Sequence, residues 1–143
     1  MALDGGGGGG GGPLGFTNSF TGPAEALELS LNYAYGYSGQ IDLDNGEKTL
    51  LRFTSGNYLF VGQWQMLFDK TAFNTGEGLG YTIKLNETII ARLELEAAAT
   101  TTEAIQRPVA IIIPPYTEVE ILADTDGGSI VVTGLLTGKI FRD

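Results

Sequence analysis

The sequence predicts an all-β fold: an antiparallel β-sandwich of about eight strands over residues 21–143, preceded by an extended glycine-rich N-terminal arm over residues 1–20. Three observations predict it. From Ala24 onward apolar and polar residues alternate at period two, turn residues interrupt the alternation every 8–12 residues, and no stretch keeps a 3.6-residue period long enough for an amphipathic helix.

The arm comes first and differs in composition from all that follows. Eight consecutive glycines, Gly5 to Gly12, lie between Leu3 on one side and Leu14, Phe16 and Phe20 on the other. Such a segment has no core of its own, so it is either a flexible tether or a strap held in a groove between subunits. Holding eight glycines still costs on the order of 10 kcal/mol of backbone entropy, which an isolated domain has few contacts to offset. Extended, the arm reaches up to about 65 Å, with its apolar side chains as anchors.

Leu27 to Leu31 and Tyr33 to Tyr37 then alternate as a strand pair with one sticky face. Gln40 to Leu43 ends in Asp44-Asn45-Gly46, a tight-turn signal that predicts a hairpin into Lys48 to Phe53. Ser55-Gly56-Asn57 marks the next turn, before an aromatic strand from Tyr58 to Phe68. Asp69 to Gly78 reads as a surface loop. Tyr81, Ile83 and Leu85 alternate into Asn86-Glu87, a hairpin tip, and Ile89, Ala91, Leu93 and Leu95 return. Ala97 to Glu103 is assigned to loop. Val109 to Ile113 is an apolar run closed by Pro114-Pro115, which donate no ladder hydrogen bonds and so stop the strand or place it at an edge. Val119 to Ala123 and Ser129 to Phe141 complete the set, joined by a turn at Asp124 to Gly128. Eight short strands without crossover helices point to a sandwich, for which a jelly roll or related Greek key is the natural solution.

Composition narrows function. The chain has 143 residues with 43% hydrophobic content, enough for one cored domain. Cysteine and histidine are absent, which removes disulfides, thiolate and imidazole catalysis and nearly every transition-metal site. A net charge of −9 disfavours nucleic acid, and the arm lacks the Lys and Arg that would release counterions. No leader pattern opens the sequence and no apolar run approaches the ~18 residues of a membrane span. The expectation is a non-enzyme with no cofactor, no metal, no nucleic-acid partner and no membrane span.

Four constellations still carry possible chemistry. Asp124 and Asp126 beside Gly127-Gly128 resemble part of a calcium loop but lack a third carboxylate and a distal Glu, so a hairpin turn is preferred. Asp42, Asp44, Glu94 and Glu96 offer carboxylate pairs of the kind glycosidases use, but almost any acidic β protein permits such pairing and solvated strand faces are the preferred reading. Asn86-Glu87-Thr88 fits a glycosylation sequon. Tyr33, Tyr35, Tyr37, Tyr58, Trp64 and Tyr116 are aromatics either for core and subunit-interface packing or for a platform on which sugar rings stack, with Trp64 placed in the core.

The second half, Ile111-Ile112-Ile113-Pro114-Pro115-Tyr116-Thr117-Glu118-Val119-Glu120 leading to Val131-Val132-Thr133-Gly134-Leu135-Leu136-Thr137-Gly138-Lys139-Ile140-Phe141, resembles jelly-roll virion proteins of bacteriophage type. The resemblance implies a virion structural role, as a capsid decoration or cement protein stabilising a shell through subunit contacts and the arm. Such proteins commonly assemble as homotrimers alongside other capsid proteins. It equally admits a carbohydrate- or receptor-binding head domain of a fibre, or a jelly-roll shell or vertex protein. It transfers no catalytic residue.

Overall fold

Period-two alternation becomes two stacked sheets. The computed structural model describes residues 23–44, 46–68, 78–96, 106–126 and 130–142. Within them the strands run β1 (Glu28–Leu29), β2 (Tyr33–Tyr37), β3 (Ile41–Asp42), β4 (Glu47–Thr54), β5 (Leu59–Phe68), β6 (Gly78–Leu85), β7 (Thr88–Glu96), β8 (Val109–Ile113), β9 (Glu118–Thr125) and β10 (Val131–Phe141). No helix occurs among the described residues. The arm with Leu3, Gly5, Gly12, Leu14, Phe16 and Phe20, the loops expected at residues 69–77 and 97–103, and Gly127-Gly128 lie outside the described residues.

Two antiparallel sheets form the sandwich. One has six strands in the order β1-β2-β10-β5-β8, with β3 also paired to β10; the other has four in the order β4-β9-β6-β7. The pairings are nested along the chain: β2 meets β10, β4 meets β9, β5 meets β8, and β6 meets β7. β8 is an edge strand, as its closing prolines predict. The β6–β7 connection is a two-residue hairpin in which Asn86 and Glu87 both take positive φ, 50° and 66°. Asn86 also latches this tip to β9, its N–H donating to the Glu118 carbonyl (2.8 Å) and its Oδ1 accepting from the Glu118 N–H (2.9 Å).

The hairpin expected at Asp44-Asn45-Gly46 is corrected by the topology. β3 pairs with β10 and β4 with β9, so this turn carries the chain from one sheet to the other. The turn chemistry holds locally: Asp44 has φ 48° and its N–H donates to Asp42 Oδ1 at 3.0 Å. Its consequence differs, because strand partners follow core burial and not turn propensity. The expected strand from Leu27 to Leu31 is reduced to two residues. Just before it, Ala24 bonds both Leu50 and Arg52 of β4, so the chain passes from the edge of one sheet to the edge of the other.

Alternation sends one face of each strand inward. Trp64, Phe60 and Met66 of β5 meet Leu50 and Leu51 of β4, Ile83 of β6 and Ile121 of β9 in a single core. Each such side chain contributes about 1.5–3 kcal/mol of burial. The Trp64 indole packs edge-on against Tyr81, ring centroids 5.9 Å apart at 71°, and burial raises the Tyr81 phenol above its ordinary pKa. Buried serines are satisfied. Ser38 Oγ donates to the Gly39 carbonyl and accepts from the Gly134 N–H (2.7 Å), while Ser55 Oγ donates to the Pro114 carbonyl (2.7 Å) and accepts from the Thr117 N–H (2.8 Å). Trp64 Nε1 is a buried donor without a partner among the described residues.

Candidate functional site

The outward faces of the two sheets differ in chemistry. On the four-stranded sheet, register aligns Arg52 with Glu120 and Lys84, and Glu47 with Asp124. Arg52 Nη2 and Glu120 Oε2 form an ion pair at 3.0 Å, to which Thr49 Oγ1 adds a hydrogen bond at 3.2 Å. This is a solvated, charged face.

The six-stranded sheet presents the opposite. Outward positions of β2, β10, β5 and β8 carry tyrosine, valine, leucine, isoleucine, threonine and glutamine, and a single charged side chain, Lys139. Tyr33, Tyr35 and Tyr37 are 56%, 44% and 42% exposed, with Val61, Leu67, Ile112, Val131 and Phe141 also uncovered. Those outward positions are depleted of charge in a chain with 17 acidic and 8 basic residues, which makes this face the candidate interaction surface among the described residues.

Within that face lies an open trough of about 710 Å³. Two outward rows wall it. Tyr33, Lys139 and Val61 are in register across β2, β10 and β5, and so are Tyr35, Thr137 and Gln63, continuing to Ala110 on β8. Between the rows the floor is Ala34, Gly138 and Gly62. Gly138 and Gly62 face each other across the ladder with the Phe60 ring beneath both, so a Cβ on Gly138 would lie 2.7 Å from Phe60 Cζ. The pairing needs two glycines because the backbones and the ring leave no room for a side chain there.

The aromatics singled out in the sequence therefore separate. Tyr33 and Tyr35 come together in the trough, and Tyr37 stands on the same face. Trp64 faces the core and is fully buried. Tyr58 is buried too. Tyr116 sits in the β8–β9 turn at φ 54°, is 72% exposed and does not line the trough. Gln63, Thr137 and Lys139 were not singled out. The period-two pattern of β5 held the signal for Gln63, since it must point away from an inward Trp64; Lys139 has no such local marker.

The acidic positions are engaged locally. Asp42 Oδ1 accepts from the Asp44 N–H, and Asp126 Oδ1 accepts from the Gly78 N–H at 2.6 Å, closing the end of the β6–β9 ladder. Burial foremost, then the charges of Glu94, Glu47 and Asp126, raise the Asp124 carboxyl above its ordinary pKa, with Arg92 opposing. Among the described residues no three potential metal ligands gather. No helix there is long and apolar enough to cross a membrane.

No protein-family model matches the chain, and no curated protein matches it in sequence. In structure it is similar to dimeric latent PorU from Porphyromonas gingivalis at 11% identity and a TM-score of 0.35, over 85% of this chain and 14% of that one. A likeness at that score carries no inference about what this chain does.

Proposed function

We propose that the sandwich is a jelly roll and that the chain works without catalysis, as a virion structural protein of the cement or decoration kind. The nested pairing supports the jelly roll: β2 with β10, β4 with β9, β5 with β8 and β6 with β7 is one long hairpin folded over into two four-stranded layers, with β1 and β3 added at the margins. The observation that carries the functional reading is the bare, nearly uncharged outer face of the six-stranded sheet. Repeated by symmetry in an assembly, it buries apolar area at little desolvation penalty, since Lys139 is the single charged side chain on the outward positions of β2, β10, β5 and β8, and Glu28 of β1 and Asp42 of β3 stand at the margins. The arm adds reach to neighbouring subunits.

Sedimentation of the purified chain, alone and with particles, tests this. The expected result is an oligomer, a trimer by the resemblance, that co-sediments with shells, and whose occupancy falls when residues 1–20 are deleted while the sandwich still melts cooperatively. Leu67→Glu, on the outer face but outside the trough, should shift the mass toward the monomer. A wild-type monomer that ignores particles would overturn the cement role.

A second reading is favoured by one observation. Tyr33 and Tyr35 line an open trough, which suits a carbohydrate- or receptor-binding head domain better than it suits a flat packing face.

A further inference from the structure

Pairing register, not sequence proximity, creates the trough. Its two walls stand about 7 Å apart along the strands, the spacing of alternate residues on one face, and its floor carries no outward side chain. An open trough of about 710 Å³ has room for a small ring-shaped ligand.

The lining mixes two chemistries. Tyr33 and Tyr35 supply flat apolar surfaces, and Val61 and Ala110 supply aliphatic wall. Set among them, the Gln63 amide both donates and accepts, as does the Thr137 hydroxyl. An all-apolar partner would leave those groups unpaired, whereas a pyranose offers an apolar C–H face to the rings and hydroxyls to the amide and the alcohol.

Charge narrows the ligand further. Lys139 is the single charged side chain lining the trough and forms no ion pair among the described residues. The carboxylate in register with the Tyr35 row, Glu28, lies on the far side of that tyrosine on β1. In a chain of net charge −9 this is a local positive spot framed by neutral groups. We propose that the trough binds an acidic saccharide: a pyranose whose carboxylate pairs with Lys139 Nζ while its ring packs on Tyr33 and Tyr35 and its hydroxyls bond Gln63 and Thr137. This rests on the head-domain reading above.

The test titrates the full chain with methyl β-D-glucuronide and, separately, methyl β-D-glucoside, following the backbone amide resonances of Gly62, Thr137, Gly138 and Lys139. Both sugars should move these amides, the glucuronide binding about tenfold more tightly through its charge-assisted bond. Lys139→Gln should bring the glucuronide to the glucoside's level without changing the glucoside, and Tyr35→Ala should weaken both. Equal affinities, or discrimination that survives Lys139→Gln, overturn the acidic ligand and leave the head-domain reading standing. If neither sugar moves the amides of a chain whose mass is that of a monomer, both fall. If neither does so in an oligomer that covers the face, the inference falls and the cement reading gains.

Discussion

The indole of Trp64 on β5 lies directly against the bare Cα of Gly134 on the neighbouring β10. A Cβ at Gly134 would come 2.8 Å from Trp64 Cζ3 and 3.4 Å from Leu50 Cδ1. Gly134→Ala is therefore expected to overpack the core by about 1–3 kcal/mol, read as a lower urea midpoint at unchanged m-value. A midpoint equal to wild type would mean that the indole shifts at no cost.

Trp64 itself fills the centre of the sandwich, so Trp64→Ala should destabilise by about 3–5 kcal/mol. Trp64→Phe should cost markedly less, because its ring refills much of the space that Ala leaves empty, while the N–H it removes has no partner among the described residues. Native emission should be blue-shifted. Equal losses for the two variants would mean that ring volume at this position is not what the core requires.

The Ser55 hydroxyl joins the β4–β5 turn to the β8–β9 turn through two hydrogen bonds. Ser55→Ala strands the buried Thr117 N–H and should cost about 1–3 kcal/mol. The exposed Ser30, whose hydroxyl reaches the Tyr33 carbonyl at 3.4 Å, is the control; Ser30→Ala should stay within about 0.5 kcal/mol of wild type. Similar losses at both sites would contradict the assignment.

Asp124 is expected to oppose stability at neutral pH. A carboxyl whose folded pKa is raised binds more protons in the native than in the unfolded state between the two values. Its contribution is thus fully present below the unfolded pKa and is lost as pH rises through the folded one. Asp124→Asn should raise the melting temperature at pH 7, and the gain should vanish below about pH 4, where both states are protonated. A gain independent of pH would assign the effect to packing and not to charge.

Local signals in the chain marked most strands, although about eight were expected and the described residues hold ten. Alternation marked β2 and a continuous apolar run marked β8 at their observed bounds, Asn86-Glu87 marked the hairpin tip, Pro114-Pro115 stopped β8 at an edge, and the opposed polarity of Trp64 and its flanking glutamines put the indole inside. Each of these depends on backbone preferences or burial within a few residues. Partner choice does not. Asp44-Asn45-Gly46 announces a turn in either topology, and only the burial of both sheets' inner faces sends β3 to β10 and β4 to β9. The trough is decided at the same level: Tyr33, Gln63 and Lys139 are far apart along the chain, and they share a surface because β10 lies between β2 and β5 in one register. A one-residue slip there would turn Lys139 and Thr137 inward and take both out of the trough, so the site belongs to the pairing of strands and not to any segment by itself.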